Sequence, residues 1–352
     1  MNVNVQSCGK AVNMRESITV FVETRGSNLL RTQAWKWWRG VLPTITVGVL
    51  LAMGWLPARG AEVLTLEEAL RFFEGDMLIV SWSADGQAQL HAIINALKLA
   101  LDVPVTVDES SEESVDQLAI SEELRPIVLR LTQAYFELGN AFSGGDLDAL
   151  AALTRGKHWG LKGLRMSPQF VLTERDEGFE AAVAREEDVG LLFWTCLCWL
   201  RCAEANPVIA AVAGTPAKAL AMLERCVDLD STYAACGPFR ALAGYWGGLP
   251  DLPLIGLRRN LNLALEYSCY AITADPLCPD RCNGPADCER FLENRLTFVK
   301  YYLLPNDEMQ EARRVLVEII TASWDAFYPL HNPLARHEAE LLVSSICGPS
   351  TN

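Results

Sequence analysis

The stretch Thr215–Pro276, TPAKALAMLERCVDLDSTYAACGPFRALAGYWGGLPDLPLIGLRRNLNLALEYSCYAITADP, decides the fold. It contains one helical phrase twice, with a further helix between the copies. In the first copy Thr215 stands as N-cap and Pro216 takes the first helical position, where a missing N–H costs nothing. Ala219, Met222, Leu223, Cys226 and Val227 then share one helix face. In the second copy Ala264, Leu265, Ser268, Ala271 and Ile272 share an equivalent face. Small residues at matching places let a neighbouring helix come close. The copies end alike, VDLDS at 227–231 and ITADP at 272–276, with serine or proline stopping the helix.

This phrase resembles the second helix of a tetratricopeptide repeat. Helix ends at Pro168, Ser231 and Pro276 mark three units, and residues 286–323 form a fourth. The ends are 63 and 45 residues apart, against about 34 in a standard repeat, so the units are degenerate and carry long insertions. The expectation is an all-α chain, a degenerate tetratricopeptide-like helical-repeat solenoid with a concave binding face. Composition agrees: 50% of residues are hydrophobic and 21% charged, and β-branched alternation is scarce.

Upstream, Thr65 to Glu74 reads as a helix opened by a Thr65/Glu68 capping box. Asp85 to Leu101 is helical by periodicity, and Val103 to Asp116 is an acidic loop or linker. Ser121 to Phe142 is a long helix. The next helix runs to Arg165 and is capped by Asp146. Phe170 to Arg185 is a short amphipathic piece, and Val189 to Ala205 a very apolar helix. Three regions follow: an N-terminal extension with a signal peptide (1–61), an N-terminal helical region (62–118) and the helical-repeat domain (119–347).

The N-terminal region reads as an export signal. Arg31, Lys36 and Arg39 precede an uncharged apolar run of 16 residues, Val41 to Leu56, and Pro57-Ala58-Arg59-Gly60-Ala61 offers a cleavage site. The run is short for a membrane span of about 20 residues, although an uncleaved anchor is the alternative. A periplasmic location with a cleaved signal is expected. No cysteine follows the run, so no lipoprotein anchor is indicated. The net charge is −14. Without residues 1–60 the chain keeps 23 basic and 42 acidic residues. Such an acidic surface repels phosphate backbones and argues against nucleic acid as a partner.

There are eleven cysteines. Cys196, Cys198, Cys202, Cys226, Cys236 and Cys269 fall within helical patterns, where cysteine acts as a small buried hydrophobe. Cys278, Cys282 and Cys288 occupy a loop rich in Pro, Gly and Asp. A disulfide among them would staple that loop. Free thiols are one alternative. A zinc site is another, against which C-x₃-C-x₅-C is an uncommon spacing with no fourth ligand nearby.

No catalytic pattern appears. His91, His158, His331 and His337 form no H-E-x-x-H arrangement and read as surface or packed histidines. There is no G-x-S-x-G, phosphate-binding glycine loop or dinucleotide fingerprint. Neither an enzyme nor a metal or cofactor site is expected.

Six segments then occur in a telling order: HWGLKGLRMSPQF (158–170), DVGLLFWTCLCWL (188–200), AMLERCVDLDSTY (221–233), YWGGLP (245–250), NLALEYSCYAI (262–272) and KYYLLPNDEMQEARRVLVEII (300–320). Together they resemble the TatT family, the T-component proteins associated with TRAP transporters, over about residues 120–345. The resemblance implies an exported helical-repeat accessory protein that works with a periplasmic solute-binding protein. It further implies a homotrimer and an apolar cleft for a small ligand. It places Tyr245, Trp246 and Pro250 in one turn and Tyr301, Tyr302 and Pro305 in another, with Trp194 and Trp199 on the apolar helix; these aromatics would line the cleft. A general tetratricopeptide adaptor in envelope protein assembly is the alternative, with the same aromatics serving as core.

Overall fold

The computed structural model describes residues 64–143, 145–252, 257–272 and 286–347. The expected export signal, Cys278 and Cys282 lie outside the described residues. The chain divides into two units, 63–343 and a second comprising 1–62 and 344–352; all that follows concerns the first. Among the described residues there are sixteen α-helices and one short antiparallel hairpin, and no helix is long and apolar enough to cross a membrane.

In chain order these are α1 (Leu66–Leu70), β1 (Phe73–Glu74), β2 (Met77–Leu78), α2 (Ala84–Ala100), α3 (Glu112–Asp116), α4 (Arg125–Ala141), α5 (Asp146–Arg165), α6 (Pro168–Glu177), α7 (Phe179–Arg185), α8 (Val189–Ala205), α9 (Pro207–Val212), α10 (Thr215–Asp230), α11 (Tyr233–Gly248), α12 (Leu261–Ala271), α13 (Ala286–Arg290), α14 (Leu292–Phe298), α15 (Met309–Thr321) and α16 (His331–Cys347). A π-turn spans Val299–Leu303. The capping box at Thr65 and Glu68 is formed as expected.

The repeated phrase folds as two helices with the expected buried faces. Ala219, Met222, Leu223 and Cys226 on α10 are sealed from solvent, as are Ala264, Ser268 and Ala271 on α12. Details differ from the sequence reading, among them the first helix, which ends at Leu70 and leaves Phe73 and Glu74 to β1 instead of running to Glu74. Gly214, at φ 71°, caps α10, and Thr215 is its first, buried residue. A left-handed residue is needed to turn the short α9 into α10, and glycine takes it without steric cost. Likewise Gly145 rather than Asp146 caps α5, leaving Asp146 in the first turn, where its charge still suits the helix dipole.

The core has two parts. In one, Leu90, Ile93 and Leu97 of α2 pack with Val128 and Leu131 of α4 and Trp159 of α5. In the other, Phe193 and Trp194 of α8 pack with Phe136 of α4 and Met222 and Leu223 of α10. The α5–α8 contact is close because α5 is notched. A Cβ at Gly160 would lie 2.1 Å from Thr195 Oγ1, so only glycine lets the helices meet. The HWGLKG segment is thereby explained as packing.

The acidic loop of 103–116 is not a free linker. Its Glu109 accepts hydrogen bonds from Tyr135 Oη (2.9 Å), Trp159 Nε1 (2.7 Å) and Lys98 Nζ (2.6 Å). Buried donors needed an acceptor, and a loop carboxylate supplies it.

Helix α11 begins abnormally. Ala234, Ala235 and Cys236 take φ of 48°, 55° and 60°, a left-handed turn costing about 1–2 kcal/mol per residue. It is held from several sides. Cys236 is disulfide-bonded to Cys288. The Arg240 guanidinium donates to the carbonyls of Ala234 and Ala235, and Asn294 Nδ2 donates to those of Ala235, Ala271 and Cys288. One cysteine reading is thereby corrected: Cys236 and Cys269 are disulfide-bonded rather than free small hydrophobes. Cys288, the third cysteine of the expected loop staple, bonds to a helix residue 52 positions upstream, and the expected pairing of Cys278 and Cys282 lies outside the described residues. The left-handed turn aims Cys236 at Cys288, which helical periodicity could not show. Cys196, Cys198 and Cys226 are buried free thiols, and burial pushes their pKa values up, so they remain neutral hydrophobes.

Candidate ligand cavity

Between α4, α8, α11, α14 and α16 lies a cavity of about 370 Å³, within the range of small-molecule sites. Its two sides have different chemistry.

One side is apolar. Trp194, Phe136, Leu197, Leu200 and Met77 face the cavity. Trp194 is fixed by its Nε1 donating to Tyr233 Oη at 3.0 Å and by ring contacts at 5.4 Å with Phe136 and 5.0 Å with Phe193. Tyr245 joins this side, its hydroxyl donating to the Pro216 carbonyl at 3.1 Å.

A second group of lining residues is charged. Arg240, Glu293 and His331 line it, with fully buried Glu137 behind. Arg240 lies 4.5 Å over the Phe291 ring and donates to Asn294 Oδ1 at 2.9 Å. His331 is 4% exposed. Its Nε2 is 3.4 Å from Glu137 Oε1 and its Nδ1 is 3.9 Å from Glu293 Oε2, so each ring nitrogen faces a carboxylate. Burial alone would lower the His331 pKa, but the Glu137 and Glu293 carboxylates outweigh it and raise it. Its neighbour Asn332 ties the start of α16 to adjacent segments: its Oδ1 accepts from the Leu292 backbone N–H, and its Nδ2 donates to the Arg290 and Trp324 carbonyls. Also in the lining, Lys300 pairs with Glu338 at 2.9 Å and Arg201 with Glu204 at 2.9 Å.

The two turns singled out in the sequence meet here. A Cβ on Gly247 would lie 2.2 Å from the Tyr301 carbonyl oxygen. The glycines of YWGGLP thus let the π-turn carrying KYYLLP press against α11. The π-turn in turn brings Lys300 and Tyr301 to the cavity wall; such turns are frequent at functional sites.

Of the residues singled out, Trp194, Tyr245, Pro250 and Tyr301 line the cavity. Trp199 packs edge-on against Phe179 at 5.6 Å beneath Lys157 and Lys218. Trp246 meets Tyr245 edge-on at 5.1 Å, and Tyr302 stacks on Phe298 at 5.6 Å. These three and Pro305 are not among the lining residues. Cys288 lies in the disulfide behind the left-handed turn.

Sequence reasoning missed Arg240, Glu137 and Glu293 and read His331 as a surface or packed histidine. A signal existed: Arg240 is the single charged residue of α11, and Glu137 stands within the apolar run AYFELG. A lone charge inside an apolar helix is rarely buried without a partner.

Residues 137–253 match the family model described as TAtT, the TRAP transporter T-component. That span contains Glu137, Trp194, Arg240, Tyr245 and Pro250. No curated protein matches the chain.

Proposed function

We propose that this chain is an exported accessory protein of a TRAP transporter, one that binds a periplasmic solute-binding protein and holds a small, largely apolar ligand in the cavity. The similarity to the T-component family supports the transporter role. The observation that carries ligand binding is the cavity itself, with Trp194, Tyr245 and Tyr301 facing a space of about 370 Å³. The repeated phrase supports a degenerate helical-repeat solenoid, and the family resemblance supports a homotrimer in the periplasm.

The test is size-exclusion chromatography with light scattering, alone and with the solute-binding protein of the accompanying transporter. A trimer that comigrates with that protein is expected. A monomer that never does so would leave the adaptor reading as the better one.

A further inference from the structure

The wall of the cavity is not equally strong all round. Long helices form most of it, but one stretch is covered by α9, a helix of six residues whose Pro207 and Ala210 are among the lining residues. A helix that short is not stable by itself, so packing must hold it. It has little. Ala210 is its one buried residue, while Val208, Ile209 and Val212 are 53%, 65% and 82% exposed. Its main contacts are with α8 and α10, its neighbours in the chain. Among the described residues, every hydrogen bond of residues 206–214 likewise stays within 203–218.

Both ends of α9 are breaks in the helical backbone. Asn206 stands at φ −149° and ψ 78°, and its side chain caps α9 by accepting from the Ile209 N–H at 3.3 Å. Gly214 takes φ 71°, and a Cβ there would meet no atom within 4 Å, so the chain has room to turn about it. Just outside these breaks the chain is fixed. Arg201 of α8 donates to Asn140 Oδ1 at 3.2 Å, and the Pro216 carbonyl of α10 accepts from Tyr245 Oη at 3.1 Å. A weakly held segment between two anchors, with a pivot at each end, is the construction of a lid.

We propose that α9 is the gate of the cavity: it swings about Asn206 and Gly214 to admit and release an apolar small molecule, while α8 and α10 stay in place. This rests on the ligand-cavity reading above and adds the route in. It also gives Val208, Ile209 and Val212 a use. Exposed apolar side chains gathered on one short helix mark a contact surface, and on a moving wall they are the apolar surface that a molecule at the rim meets first.

The experiment is stopped-flow fluorescence of the full chain with N-phenylnaphthylamine, a neutral apolar fluorophore, with entry and release rates measured separately. Asn206→Ala cuts the cap, and Gly214→Ala strains the closed backbone at its positive φ. Each should speed entry and release together by about threefold or more, the loosening that loss of a cap produces, and leave the dissociation constant within about twofold. Ser167→Ala cuts the matching cap of α6, a helix that does not line the cavity, and should leave both rates unchanged. Melting temperatures check that each variant folds. In the natural chain, the Ala210 and Ala213 amides should exchange with solvent at least about tenfold faster than those in the middle of α8 and α10. Unchanged rates in both gate variants would overturn the proposal, as would α9 amides as well protected as those of α8. Faster release at an unaltered entry rate would overturn it too, since that marks a wall that holds the molecule rather than a gate. If the natural chain binds no fluorophore, the cavity reading fails and the gate with it; binding with unaltered rates fails the gate alone.

Discussion

The two sides of the cavity are built on opposite principles. The Trp194 side is ordinary core, made of apolar faces of α4 and α8 whose aromatics interlock and whose one polar handle, the indole N–H, finds Tyr233. The Arg240 side keeps a cation, an imidazole and a carboxylate behind it away from solvent, and needs a left-handed turn, a disulfide and Asn294 to hold them. The first side would exist in any well-packed helical protein. The second repays its cost only if its charges do something, because buried ion pairs are seldom better for stability than hydrophobic replacements.

Mutation can separate the two. The largest losses should come from removing one anchor on either side. Trp194→Ala should cost about 3–5 kcal/mol through the cavity it leaves, measured by denaturant unfolding. Arg240→Met should cost a similar amount, about 3–5 kcal/mol, by removing the donor to Ala234, Ala235 and Asn294 and the cation whose charge offsets the Glu293 and Glu137 carboxylates. The difference lies in rescue: a second change, Glu137→Gln, should recover part of the Arg240→Met loss and none of the Trp194→Ala loss. No recovery of the Arg240→Met loss, or equal recovery of both losses, would erase the distinction.

Next, replacing Cys236 and Cys288 together by alanine should cost about 2–4 kcal/mol, since the bond closes a long loop. Calorimetry would show this as a lowered melting temperature. Gly247→Ala should cost about 1–3 kcal/mol by overpacking against the Tyr301 carbonyl, while leaving the α5–α8 contact intact.

The smallest effect is that of pH. The His331 pKa is raised in the fold, so its contribution to stability is complete below about 6.5, the unfolded value, and is lost as pH rises through the folded value. The groups facing it are Glu137 from α4, Glu293 from α14 and Arg240 from α11. Melting temperature measured upward from pH 6 should fall more for the natural chain than for His331→Gln. Parallel curves would show that the imidazole carries no charge there.

What the sequence revealed follows the same division. Apolar periodicity marked α8 and α10 within a residue or two, and the buried face of α12, although that helix ends at Ala271 rather than running on towards Pro276; with them it marked Trp194 as a residue of interest, because periodicity is a local property. The glycines of YWGGLP were visible as a motif, but their reason, contact with Tyr301 some 54 positions later, was not. The charged side was hidden because Glu137, Arg240, Glu293 and His331 come from four separate helices and share no spacing. Cys236 was read as helical because three left-handed residues leave no trace in an AAC sequence.

Binding of a neutral apolar fluorophore tests most directly the claim that this cavity is a binding site. Leu197 lines the apolar side and is only partly buried, so Leu197→Arg should fill the space without emptying the core. The account predicts saturable binding by the natural chain and its loss in Leu197→Arg at an unchanged melting temperature. Unaltered binding by Leu197→Arg, or no binding by the natural chain, would contradict it.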